Sequence, residues 1–159
     1  MGEDEFRKAM AGVCSPVTIV TTTADQAPHG ATVSAIASLS LDPPMISVAL
    51  NNRSRLLHTI QSAGRFGVNV LSDRQKDLAT RFADSTADRF RETAWEFDHG
   101  LPRLQGSANW IACELANTVP GGDHVLLLGH VVRASYTSAP PLIYAQRTFG
   151  THSGLASSP

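Results

Sequence analysis

Only two of the 159 residues are cysteine, Cys14 and Cys113, and they lie far apart without metal spacing. Reduced thiols in a cytoplasmic protein are the simplest account of them. Histidine is just as dispersed: His29, His58, His99, His124, His130 and His152 have no His or Cys neighbour at ligand spacing. No metal site is expected. A Gly-x-Ser-x-Gly nucleophile elbow is missing, and no Gly-x-Gly-x-x-Gly follows a first strand, so serine-hydrolase and Rossmann readings fail. Charge of one sign is also lacking, with 13 Lys and Arg against 14 Asp and Glu. That balance argues against nucleic acid or an anionic membrane as the main partner. No apolar run reaches transmembrane length, and the opening MGEDEFRK is acidic where a signal peptide would be basic. A cytoplasmic protein is the expectation.

What is present suits a globular protein: 42% hydrophobic and 17% charged residues in a length that fits one domain. That domain is expected over 1–153, with a flexible tail over 154–159. Phe6, Met10 and Val13 recur at helical spacing, so a short helix is expected over Glu3–Val13. Val17–Thr23 is a β-branched strand, and Asp25–Gly30 supplies a hairpin turn. Met45–Leu50 is a further strand. Ser54 is placed to cap a helix over Arg55–Ser62, with Leu56, Leu57 and Ile60 inward and Gly64 just past its end. Phe66–Leu71 alternates as a strand. Ser72 and Gln75 form a capping-box pattern opening a helix over Asp73–Ala83, with Leu78 and Phe82 toward the core. Phe90, Trp95 and Phe97 stand on a weakly patterned stretch, read as a short helix and a loop. Ser107–Val119 alternates, placing Ile111, Cys113 and Leu115 opposite Trp110 and Ala112. A turn at Pro120-Gly121-Gly122-Asp123 leads into a long strand over His124–Tyr136, and Leu142–Tyr144 forms a last short one. Six or so strands joined mostly by hairpins point to a β-barrel with peripheral helices. Met45–Leu71 also reads as a βαβ crossover.

The stretch His29–Pro44, HGATVSAIASLSLDPP, organises the rest. Thr32, Ser34, Ser38 and Ser40 fall at even positions, and Val33, Ala35, Ala37, Leu39 and Leu41 at odd ones. In a single strand this gives one face of hydroxyls and one that is small and apolar. Small hydroxyls let a flat, phosphorylated ligand approach closely, or else they simply coat the wet side of a sheet. With no separate acid, base or metal evident, the pattern suits an enzyme whose cofactor carries the chemistry.

Taken in order, the segments FRKAMAG, VTIVTT, GATVSAIASLSLDPP, NNRS, FGVNVL, RFA…DRF, WE, GLPRLQG and GGDHVLLLG resemble the short-chain flavin reductase family from about Phe6 to His152. The resemblance implies a mainly β fold, a six-stranded antiparallel split β-barrel of Greek-key connectivity with peripheral helices. It implies hydride transfer from NADH or NADPH to FMN or FAD, and a role as the small component of a two-component flavin monooxygenase. Thr32, Val33, Ser34 and Ala35, with Ser38, Leu39 and Ser40, match the stretch lining the flavin ring and ribityl chain. Asn51, Arg53 and Ser54 match the loop at the flavin phosphate, where a guanidinium fork and a helix start suit an anion. Phe82, Ala83 and Arg89 match residues beside the cofactor, although the spacing of Phe82 fits core packing equally. His124 matches a residue placed near the nicotinamide as an orienting group. Where the family often has Tyr-Gly-x-Tyr, this chain has Phe149, Gly150, Thr151 and His152, so those hydroxyls are missing. A homodimer is expected, with reduced flavin diffusing to a separate monooxygenase. The alternatives are a flavin-binding electron carrier of the same fold without nicotinamide turnover, and a non-catalytic β-barrel module.

Overall fold

The computed structural model describes residues 2–152 and Gly154; apart from Gly154, the tail expected over 154–159 lies outside the described residues. In chain order the elements are α1 (Glu3–Ala11), β1 (Ser15–Pro16), β2 (Thr18–Ala24), β3 (Ala27–Val33), β4 (Ile36–Leu41) and β5 (Pro44–Asn51). These are followed by α2 (Arg55–Ala63), β6 (Arg65–Val70), α3 (Lys76–Ala83), β7 (Trp95–Asp98) and β8 (Leu101–Leu104). The chain ends with β9 (Asn109–Gly121), β10 (His124–Tyr136), β11 (Ile143–Ala145) and β12 (Thr148–Gly150). The fold is mainly β. Among the described residues, no helix is long and apolar enough to cross a membrane.

The main sheet has seven strands where six were expected, in the order β3-β2-β6-β9-β10-β5-β4. Every pairing in it is antiparallel. Its two edges, β3 and β4, are not hydrogen-bonded to each other, yet only Ser34 and Ala35 join them. Three Cα steps reach about 11 Å at full stretch, so the sheet must curl until its edges approach. The β5–α2–β6 stretch is not a βαβ unit, because β9 and β10 lie between its strands.

The expected single strand over the hydroxyl run is broken twice. It parts at Ser34-Ala35, and β4 carries a bulge in which Ser38 opposes Ile46, Ser40 opposes Met45 and Leu39 has no partner. An extra residue shifts the two-residue alternation, so Ser38 and Ser40 face opposite sides. The single hydroxyl face is therefore corrected. The preceding hairpin is tighter than expected, turning on Asp25 and Gln26, both at positive φ (50° and 62°), as a two-residue loop matching strand twist requires.

Inside the curled sheet, Val20, Val48, Phe66, Val68 and Leu127 pack against Leu56, Leu57 and Ile60 of α2. Gly64 ends α2 at φ 68°, the left-handed conformation that glycine adopts without a Cβ clash. The long strand β9 alternates as expected: Ile111, Cys113 and Leu115 join this core, while Trp110 and Ala112 pack with Leu101 on the other face. Burial pushes the Cys113 thiol up to about 12, so it stays protonated at neutral pH. A second core beneath α3 gathers Val17, Ile19, Leu71, Phe82, Leu104 and Leu142.

Two helices differ from expectation. Helix α3 starts at Lys76 and not at Asp73. Gln75 Oε1 accepts the Ser72 N–H (3.0 Å), but Gln75 is itself the N-cap and the intervening residues form a turn. The stretch after Asp84 holds no helix; it becomes the β7–β8 hairpin, turning on His99 and Gly100 at φ 52° and 70°. Trp95 and Phe97 are two apart, which is the strand period. With Phe82 and Phe90 they make a run of edge-to-face contacts with centroids 5.0, 5.6 and 5.0 Å apart.

The Trp110 ring presses on the backbone of Gly67, where an added Cβ would sit 2.2 Å from Cη2. Gly67→Ala is expected to destabilise the protein by roughly 1–3 kcal/mol, because a fully buried indole cannot retreat. The midpoint of urea unfolding measures it.

Candidate functional site

Helix α3 is tied to β3 by one side-chain bond: the Thr32 hydroxyl donates to the Ala79 carbonyl at 2.7 Å. That hydroxyl is thus committed to the fold. The helix presents Ala79 and Ala83, one turn apart and both small, so a space of about 330 Å³ remains between helix and strand. Val17 and Thr32 form its floor, and Ser34 and Thr80 its rim. The β11–β12 hairpin closes one side. Gln146 and Arg147 turn it at positive φ (49° and 62°), which sets Tyr144 opposite Phe149. Their rings lie 4.9 Å apart, and Lys76 Nζ stands 5.8 Å from the centre of the Phe149 ring. The result is an open, mostly apolar slot with an aromatic wall.

Two residues back along β3, Gly30 shares a face with Thr32 by strand alternation. A second, smaller hollow of about 190 Å³ opens there between His29, Arg55 and Arg89. Arg89 Nη1 donates to the Gly30 carbonyl (2.7 Å) and Nε to the Asp84 carbonyl (2.9 Å). Burial, and then the Arg55 guanidinium nearby, push the Arg89 pKa below its usual value. Two like charges beside one hollow favour an anion between them. Asp88 also lines the hollow, with its carboxylate accepting the Arg91 N–H (3.3 Å). Arg55 opens α2, and Ser54, half-buried, is the N-cap of that helix but makes no side-chain cap bond. Unpaired amides at such a helix start add further donors for an anion.

The residues singled out from sequence fall into separate places. Ser34, Ala83 and Phe149 line the slot with Thr32, and Arg89 lines the anion hollow. Val33 is 8% exposed and belongs to the core, while Ala35 is exposed in the link. Ser38, Leu39 and Ser40 lie on the bulged β4 and do not line the slot. Phe82 is fully buried against Phe90 and lines neither cavity. Gly150 and His152 are exposed, and His152 Nδ1 accepts the Gly154 N–H at 3.1 Å.

Asn51, Arg53 and His124 form a third neighbourhood. Asn51 Oδ1 accepts the Arg53 N–H (2.9 Å), Asn52 N–H donates to the Asp123 carbonyl (2.9 Å), and His124 is the cross-strand partner of Asn51. His124 Nδ1 is 2.7 Å from Asp123 Oδ1, and this hydrogen bond, then the imidazole charge, hold the Asp123 carboxyl below its usual value. The imidazole is thereby oriented, but it lines neither the slot nor the hollow. Arg55 and Tyr144 were missed from sequence. Arg55 directly follows the Ser54 cap, and Tyr144 stands in the short strand already noticed; what was lacking was the tight turn that brings it onto Phe149.

A model of the flavin reductase like domain matches residues 10–153. The chain belongs to the flavin reductase like domain family. It is 36% identical over 146 residues to the reductase component of 4-nitrophenol 4-monooxygenase/4-nitrocatechol 2-monooxygenase of Rhodococcus opacus, covering 92% of this chain and 79% of that protein. It is also 36% identical over 157 residues to NADH:riboflavin 5'-phosphate oxidoreductase of Streptomyces pristinaespiralis, covering 95% and 89%. A solved flavin reductase in its native state superposes with a TM-score of 0.90 at 31% identity, over 96% of this chain and 99% of that one. An apolar, aromatic-walled slot thus lies two residues along a strand from a hollow flanked by two arginines.

Arg89→Gln in this flavin reductase homologue is expected to weaken FMN binding roughly tenfold, the scale of one lost charge-assisted hydrogen bond. Riboflavin, which lacks the phosphate, should bind nearly as well as before. Flavin fluorescence titration with each ligand measures the difference.

Proposed function

We propose that this chain is an NADH- or NADPH-dependent flavin reductase that passes reduced FMN or FAD to a separate flavin-dependent monooxygenase. The observation that carries the reading is the apolar slot beside the Arg55–Arg89 hollow, joined along one face of β3. The seven-stranded curled sheet is read as the FMN-binding split barrel, with its edges brought together by Ser34 and Ala35. A homodimer in the cytoplasm completes the proposal.

Bound flavin supplies the hydride acceptor and the nicotinamide the donor. The protein supplies placement, since hydride transfer depends chiefly on distance and orientation. Ala79 and Ala83 keep the slot wide enough for a flat ring, and Val17 keeps its floor dry. Arg55, Arg89 and the start of α2 anchor the phosphate, which fixes how far the ring enters. Tyr144 and Phe149 form a wall against which an aromatic ring stacks. His124, held by Asp123, orients the nicotinamide and takes no part in proton transfer. Because it lines neither cavity of its own protomer, the homodimer is the arrangement in which it serves a site across the interface. No side chain is required to relay a proton to a substrate, in keeping with the absence of an acid–base pair in the slot lining.

Purified protein is expected to oxidise NADH or NADPH only when FMN or FAD is added, followed by the loss of nicotinamide absorbance. Flavin binding without nicotinamide turnover would identify an electron carrier instead. His124→Ala is expected to raise KM for the nicotinamide roughly tenfold, more than it weakens flavin. The reverse pattern would make His124 a structural residue.

A further inference from the structure

On the far side of the molecule's second core, a cleft of about 360 Å³ lies between β8, the loop over 105–108 and the end of β10. Two buried polar atoms without a hydrogen-bond partner belong to residues lining it: Trp110 Nε1 and Ser107 Oγ. Trp110 is 1% exposed and Ser107 9%. The indole N–H is a donor only, and leaving it unpaired away from water is costly. The ring cannot turn to find a partner, because it lies against Gly67. Arg103 lines the same cleft; its Nη1 is held by Asp98 at 2.9 Å, and the side chain is 31% exposed. Leu104 and Ala108 add an apolar wall, and Glu96 is the one acid in the lining.

An indole N–H, a hydroxyl and a guanidinium around one cleft ask for an acceptor with two oxygens and a negative charge. We propose that this cleft binds a small carboxylic acid, its carboxylate taking the Trp110 and Ser107 donors and facing Arg103, and its carbon skeleton lying on Leu104 and Ala108. Both donors are sealed from solvent, so the 105–108 loop must yield for the carboxylate to reach them. The cleft shares no lining residue with the flavin slot. Gln75 Nε2 donates to the Gln105 carbonyl (2.8 Å), and Gln75 is the N-cap of α3, whose alanines wall the slot.

Benzoate is the probe, titrated into the full chain labelled with ¹⁵N at the two tryptophan indoles. Trp95→Phe assigns the two signals. The Trp110 indole proton is expected to move downfield and saturate, while that of Trp95 stays in place. Ser107→Ala and Arg103→Gln should each weaken the titration roughly tenfold, with the remaining spectrum unchanged as proof of folding. Benzyl alcohol, equal in ring but without the charge, should leave the signal in place. A Trp110 signal that does not shift, or does not saturate, with benzoate overturns the proposal. An equal response to benzyl alcohol, or variants that fold and titrate like the parent, overturn it too.

Discussion

Two residues, Ser34 and Ala35, connect strands at opposite edges of a seven-stranded sheet, and most of the molecule follows from that short tether. A flat sheet of seven strands would hold its edges roughly 28 Å apart, at about 4.7 Å between neighbours. A link able to reach only about 11 Å forces the sheet to bend round on itself. The bend encloses Val20, Phe66, Val68 and Leu127, and α2 fills the space that remains with Leu56, Leu57 and Ile60. The bulge at Leu39 absorbs part of the curvature, as an extra residue in one strand does. The two positions with least room for a side chain, Gly67 against Trp110 and Gly129 against Phe66, are where aromatic rings press closest on the curved backbone.

The slot follows from what does not fit within that enclosure. Helix α3 lies outside the sheet on β3, fixed by the Thr32 hydroxyl and by Phe82 beneath it. A helix bearing Leu at 79 and 83 would seal against the strand; one bearing Ala leaves a gap. Short-range electrostatics then gives the gap a direction. Arg55 and Arg89 stand together at the Gly30 end, where burial first, and then the neighbouring Arg55 charge, lower the Arg89 pKa, and a phosphate between them would be attracted by both. The slot is apolar and the neighbouring hollow doubly cationic.

Much of this architecture was legible in the sequence wherever one physical signal dominated. The span of β10 follows from β-branched alternation between the Gly122–Asp123 turn and Thr137, and α2 from its apolar spacing and Gly64. The sidedness of β9, with Cys113 inward and Trp110 outward, is simple period-two reading. The misreadings have equally local causes. A bulge leaves no mark in an alternating pattern, so Ser38 and Ser40 looked like neighbours on one face. The β7–β8 hairpin hides behind polar residues, and its turn depends on His99 accepting a positive φ. Site residues were partly legible: Ser34, Ala83, Arg89 and Phe149 line the two cavities, whereas Arg55 and Tyr144 emerge only when a helix start and a tight hairpin set them in place. Asn51, Arg53 and His124 line neither cavity, although Arg53 is only two residues from Arg55.

The central claim is that a flavin ring lies between β3, α3 and the β11–β12 hairpin, with its phosphate between Arg55 and Arg89. A crystal structure of the protein grown with FMN tests this most directly. The account predicts a ring in contact with Ala79, Ala83 and Phe149, and phosphate oxygens within hydrogen-bonding distance of both guanidiniums. A ring seated elsewhere, or a phosphate that leaves Arg55 and Arg89 facing only solvent, would contradict it.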